Sequence, residues 1–170
     1  MIKRITKQDV ADVREIKLDD IISLKGTKVV SEVINDALRM DKKIVCIGGQ
    51  ASGKTLLMRV LINKRCDFDE DSTCDDATTA EDYNFIASNK CKYATCYAKS
   101  TEDFLEAIKQ RTGRDTIGNC VVITRKIDTD THSKIITNID EIVEYDGVNV
   151  INNIVDIHKD KYRKLSDLEA

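Results

Sequence analysis

An α/β sandwich with a mostly parallel sheet, closed by antiparallel strands, is the fold this sequence predicts. Three observations predict it. Residues 48–55 read Gly-Gly-Gln-Ala-Ser-Gly-Lys-Thr, a complete G-x-x-x-x-G-K-[ST] phosphate-binding loop. The apolar run Ile44-Val45-Cys46-Ile47 leads into it and a helical pattern from Lys54 leads out. Beyond it, helical and strand-like segments alternate before three strand-like runs follow one another.

The elements follow in order. Residues 1–26 are polar and helical in part, closing at Lys25-Gly26. Val29, Val30, Val33, Ile34, Ala37 and Leu38 recur at helical spacing, so 28–40 is an amphipathic helix. A strand at 43–47, the loop and a helix over 54–64 come next, with Leu56, Leu57, Val60 and Leu61 as the buried face of that helix. Residues 67–76 are acidic with one large apolar residue and read as a solvated loop, not a buried strand. A helix over 77–89, a strand over 92–98 and a helix over 101–112 capped by Ser100 follow. The three closing strands are 119–127, 133–145 and 148–157, the last two joined by the hairpin signal Asp146-Gly147. The tail from 159 is charged and helical or frayed. The chain therefore divides into an N-terminal polar helical segment (1–27), a P-loop nucleotide-binding domain (28–158) and a charged tail (159–170).

The loop carries the chemistry. Backbone N–H groups from Gly49 to Thr55 point at a bound phosphate, helped by the partial positive charge of the helix start. Glycines at 48, 49 and 53 permit angles and close approach that a side chain blocks. Lys54 reaches the β- and γ-phosphates and the Thr55 hydroxyl ligates Mg²⁺. The nucleotide-binding set is Gly48, Gly49, Gln50, Ala51, Ser52, Gly53, Lys54, Thr55 and Leu56, with Thr55 the metal ligand.

Composition excludes several other classes. At 170 residues and 41% hydrophobic content the chain supports one core, burying roughly 70% of its unfolded surface. A net charge of -3 with scattered Lys and Arg argues against nucleic acid as a partner. No stretch approaches a membrane span, and Met1-Ile2-Lys3-Arg4 lacks a signal peptide's apolar run, so the expectation is a cytoplasmic protein with no membrane insertion. The six cysteines form no C-x-x-C pair and read as reduced core fillers. Asp67-x-Asp69-x-Asp71 has Ser72 and Thr78 where a calcium loop needs glycine and glutamate.

The order of motifs resembles the secretion ATPases of type II and type IV secretion and tight-adherence pilus systems, which are hexameric P-loop motors. Val33 to Asn63 is similar to that family's helix, strand and loop. Asp76-Ala-Thr-Thr-Ala-Glu81 resembles the segment after its Walker B glutamate, Ala94-Thr-Cys-Tyr-Ala-Lys-Ser-Thr-Glu-Asp103 its histidine box, and Lys134-Ile-Ile-Thr-Asn-Ile-Asp-Glu-Ile142 its C-terminal strand. The resemblance implies a RecA-like P-loop NTPase sandwich of three layers, ATP with Mg²⁺ as cofactors, and self-association or docking to a larger secretion-type assembly.

The departures bear on function. The separate N-terminal domain of the family has no counterpart in residues 1–27, which removes part of the ring contact and leaves a monomer open. On the resemblance, the catalytic glutamate falls at about Thr73, whose neutral hydroxyl cannot serve as a base for water. Tyr97 replaces the box histidine and Asp75 a basic residue. Asp69 or Glu70 would then be the substitutes for the lost carboxylate, and Arg111, Arg114 and Arg125 the candidate charge-compensating arginines. Three readings stand: an ATP-binding module with weak or no hydrolysis, an active Mg-dependent ATPase, and a structural interaction module with a relic loop.

Overall fold

A computed structural model describes residues 1–22, 27–65, 68–163 and 165. Helices α1 (Lys7–Ala11), α2 (Leu18–Ile22) and α3 (Thr27–Arg39) precede strand β1 (Lys43–Gly48) and helix α4 (Lys54–Asn63). Then come β2 (Thr73–Ala77), α5 (Ala80–Ile86), β3 (Tyr93–Cys96) and α6 (Thr101–Thr112). Strands β4 (Cys120–Ile127), β5 (Lys134–Tyr145), β6 (Val148–Asp156) and β7 (Lys161–Tyr162) finish the order. All seven strands form one sheet, β2-β3-β1-β4-β5-β6-β7. The first four run parallel and the last three join antiparallel.

Alternation along β1 shows why the sheet needs cover on both faces. Ile44 and Cys46 enter one buried cluster with Val33 and Ile34 of α3 and Leu57 and Leu61 of α4. Val45 and Ile47 enter another with Ile86 of α5 and Phe104 and Ile108 of α6. A period of two on the strand sends successive side chains to opposite faces, so a near-continuous apolar run is what a doubly covered strand requires. The N-terminal residues are part of this packing: Ile5, Val10, Val13, Leu18 and Ile22 are buried with α3 and α4.

Local signals act where the sequence places them. Ser100 caps α6 by accepting from the Asp103 N–H at 3.1 Å. Asp146 and Gly147 take φ of 50° and 75°, positive at both central positions as a tight turn between twisted strands demands. α5 is shorter than the 77–89 expected, because a capping box of Thr79 with Asp82 starts it late. The expected helix closure at Lys25-Gly26 lies outside the described residues.

Two expectations fail. Within the supposed acidic loop at 67–76, Asp67 lies outside the described residues, but Glu70–Ser72 is a 3₁₀ turn and Thr73–Ala77 is strand β2. Thr73, Cys74 and Asp75 are buried. The cause is tertiary hydrogen bonding on both edges. β3 pairs with one side of β2, while the Asp75 N–H donates to Lys3 O at 2.8 Å and the Ile5 N–H to the Thr73 hydroxyl at 2.8 Å on the other. The tail is likewise neither helical nor frayed at 161–162, because β7 pairs with Val155 and Asp156, and the Arg163 N–H continues to Ile154 O at 2.9 Å.

Candidate functional site

Parallel strands bring their carboxyl ends to one edge of the sheet. From β1 the chain goes out through α4 to β2, and from β3 it crosses back over β1 through α6 to β4. The strand order thus reverses around β1, and a crevice outside the carboxyl ends at such a reversal is where open α/β sheets hold ligands. The loop 48–55 sits there.

Gly48 ends β1. A Cβ at that position would stand 2.4 Å from Arg125 O and 2.5 Å from Ser52 Oγ, so only glycine fits. Gly49 leaves the strand, and Gln50 and Ala51 are exposed at the turn, Ala51 with φ of 60°. Ser52 is buried, and its hydroxyl has no hydrogen-bond partner among the described residues. Gly53 opens α4 at φ of 86°, and its carbonyl accepts the first helical bond from Leu57 at 3.0 Å. Lys54 is folded inward, only 8% exposed, with Nζ donating to Gly49 O at 3.2 Å. Leu56 is half-buried against the α3–α4 side of the core. Beneath the loop, Leu57, Met58, Val60, Leu61 and Ile62 anchor α4. Each contributes about 1.5–3 kcal/mol of transfer free energy before conformational entropy is subtracted.

A neighbouring strand completes the cluster. The Thr55 hydroxyl donates to Asp75 Oδ1 at 3.2 Å. The Thr95 hydroxyl of β3 donates to the same oxygen at 2.5 Å and accepts the Asp76 N–H at 2.8 Å. Asp75 is 3% exposed, whereas Asp76 beside it is exposed and held at φ of 54°. A non-glycine residue at positive φ is strained by about 1–3 kcal/mol, and the surrounding hydrogen bonds hold it there. Tyr97, 58% exposed just past β3, lies where a Cβ on Gly49 would meet its ring at 3.8 Å.

This arrangement corrects the register implied by the resemblance. Thr73 faces residue 5 at the start of β2, and the side chain that meets Thr55 is Asp75. Asp69 and Glu70 are not substitutes. Asp69 caps the 3₁₀ turn, and Glu70 accepts the Lys7 N–H at 2.6 Å, both at the amino end of β2. Glu70 thus lies in the turn that precedes β2, bound to the N-terminal residues. Sequence reasoning named Asp75 and Asp76 without making either a site residue, because Cys74 and Ala77 are the only apolar residues in β2 and the stretch does not read as a buried strand. The legible signal was the acidic pair followed by the capping box of α5.

Of the three arginines, Arg111 donates to Thr78 O and stacks over the Tyr83 ring at 5.1 Å, a structural role. Arg114 is exposed. Arg125 pairs with Gly48 across β4 and β1 and is 2% exposed, with one nitrogen donating to Ile21 O at 2.6 Å. Burial draws its pKa below the ordinary arginine value. Burial also pushes the Cys46 and Cys96 thiols, beside the loop strands, up to about 12, so neither is a thiolate nucleophile at neutral pH. Among the described residues no three His, Cys, Asp or Glu side chains gather into a metal cluster, and no helix is long and apolar enough to cross a membrane.

No protein-family model matches the chain, and no curated protein matches it by sequence. Among solved structures it is similar to the VirB11 ATPase from the Brucella suis type IV secretion system, crystallised in complex with sulphate, at 16% identity and a TM-score of 0.47. That similarity covers 82% of this chain and 65% of the other, so the chain spans about two thirds of that protein's length. The likeness concerns the course of the backbone.

Proposed function

We propose that this chain is an ATP-binding protein of the RecA-like P-loop kind, holding Mg-ATP at the carboxyl edge of the sheet. The observation that carries the reading is the hydrogen bond from Thr55, next to Lys54 in a complete phosphate loop, to the buried carboxylate Asp75 on a strand two positions away. A hydroxyl and a carboxylate side by side are the oxygen donors Mg²⁺ takes alongside phosphate and water. The protein residues fit the group in two further ways. Gly48 leaves no room for a side chain beneath the loop, and Ser52 keeps a buried hydroxyl without a partner.

Lys54 and the N–H groups of Gly49 to Thr55 would bind and orient the phosphates, with Lys54 exchanging its bond to Gly49 O for one to phosphate oxygen. Thr55 and Asp75 would hold Mg²⁺. When bound, the ion neutralises phosphate charge. The loop, α4 and β2 would supply the cradle. ATP, rather than another nucleotide, rests on the resemblance to secretion ATPases, as does docking to a secretion-type assembly.

A second reading, slow hydrolysis, is favoured by Asp76. Its exposed carboxylate follows Asp75 at the strand end, where it could accept a proton from a water attacking the γ-phosphate. Calorimetric titration with Mg-ATP, together with phosphate release at high protein concentration, tests both readings. The wild type should bind, and Lys54→Ala should bind at least tenfold more weakly, since a charge-assisted hydrogen bond is worth about 1.5–3 kcal/mol. Binding unchanged in Lys54→Ala, or absent in the wild type, would overturn the proposal. Turnover that Asp76→Asn abolishes without loss of binding would establish the second reading.

A further inference from the structure

Most of β6 lies at an open edge of the sheet. β5 pairs with one side of it from Val148 to Asp156. On the other side β7 pairs only with Val155 and Asp156, and the Arg163 N–H reaches Ile154 O at 2.9 Å. From Val148 to Asn153 the main-chain groups on that side have no partner among the described residues.

Free sheet edges are ordinarily blunted by charge, proline or a bulge. This chain is 34% charged, yet Gly147 to Val155 is nine residues with neither a charge nor a proline. The two other uncharged runs at least as long, 44–53 and 116–124, contain β1 and β4, which are paired on both sides. The break in the β5–β6 register falls between Ile139 and Asp140, toward the end that β7 covers. β6 thus has the composition of an interior strand at an edge position. Its side chains agree. Tyr145, Val148 and Val150 are 70%, 60% and 41% exposed. Val148 lies opposite Tyr145 and Val150 opposite Val143, so the four make one apolar stripe on a single face of the hairpin.

We infer that a second copy of this chain pairs antiparallel along Val148–Asn153, joining two sheets into one across a twofold axis. Facing residues in such a pair share a side of the sheet only when the axis passes through a residue. Centred on Ile151, it would set the partner's Val148 against Ile154, where Arg163 already stands. Centred on Val150, it clears β7 and continues the apolar stripe of one copy into that of the other.

Charge at the two ends fits this arrangement. The turn end carries Glu144 and Asp146, and the adjoining loop adds Arg114 and Asp115, which balance. The β7 end carries Lys159, Lys161 and Arg163 against Asp156 and Asp160. Asp156 Oδ1 there accepts the His158 and Lys159 N–H groups. Antiparallel pairing brings the net negative end of each copy to the net positive end of the other. The inference rests neither on nucleotide binding nor on the resemblance to ring-forming motors.

The test is sedimentation equilibrium of the full chain without nucleotide, for wild type, Val150→Lys, Val150→Glu and an equimolar mixture of the two variants. Six residues a side is small beside the roughly 20–30 of a standard interface, so the range should run from about 10 to 500 μM. The wild type should move from one chain toward two. Like charges facing each other across the axis should weaken self-association of each variant at least tenfold, and the mixture should restore it as a heterodimer. Position 150 is 41% exposed, so both variants should keep the wild-type circular dichroism. Should one not fold, amide exchange in the wild type decides, with protection of 148–153 expected to rise with protein concentration. A wild-type monomer throughout, a dimer that both variants retain, a mixture no tighter than its parts, or protection independent of concentration would overturn the inference.

Discussion

Replacing Asp75 by asparagine separates a ligand-holding carboxylate from one that only supports the fold. Asn keeps the shape and one carbonyl oxygen, which can still accept from Thr55 and Thr95, now at 3.2 and 2.5 Å. Turning two charge-assisted bonds into neutral ones costs about 1–1.5 kcal/mol each. Against this, the substitution relieves a carboxylate that is 3% exposed and whose observed side-chain partners are neutral hydroxyls. Taking one charge out of water costs several kcal/mol in real proteins. The two effects nearly cancel, so the unliganded variant should melt within about 4 °C of wild type, at about 2–4 °C per kcal/mol for a chain of this size. Function should respond differently. ATP at a hundred times its Kd stabilises the wild type by about 2.7 kcal/mol, a rise of roughly 5–11 °C. If Asp75 holds Mg²⁺, the variant should bind Mg-ATP at least tenfold more weakly and lose about 1.4 kcal/mol, or about 3–6 °C, of that rise. ATP with EDTA should then affect both proteins alike. The assay is a thermal melt with ATP, with and without Mg²⁺. An undiminished Mg²⁺-dependent rise in Asp75→Asn would refute the assignment.

Two further outcomes follow from geometry and burial. Gly48→Ala places a Cβ 2.4 Å from a backbone carbonyl, so it should cost about 1–3 kcal/mol and lower the melting point by about 2–12 °C. Gly49→Ala meets only an ordinary 3.8 Å contact and should change it little, so equal melting points for the two variants would contradict the packing described. Burial pushes the Cys46, Cys96 and Cys120 thiols up to about 12 in the folded chain, above the roughly 8.5 of an unfolded thiol. Their contribution is complete below about pH 8.5 and is lost as pH rises toward 12, at about 1.4 kcal/mol per pH unit for each thiol. Urea midpoints between pH 8 and 10.5 should therefore fall steeply, and less so in Cys120→Ala. A flat profile would contradict thiols buried in the neutral form.

The sequence by itself determined the loop, its flanking strand and helix, the amphipathic helix before them, the Ser100 cap and the Asp146-Gly147 hairpin. Each is a local matter. Glycine angles, cap hydrogen bonds and apolar periodicity act over a few residues, and the chain carries them wherever it folds. The acidic stretch shows where that reach ends. Nothing within 67–76 favours a strand, and β2 forms because β3 and residues 3–5 satisfy its two edges from far along the chain. Once it forms, Asp75 and not Glu70 arrives at Thr55, since a parallel strand offers its carboxyl end to the loop. Tertiary structure alone decided this, because Coulomb and hydrogen-bond energies depend on distance in space, and sequence separation does not encode it.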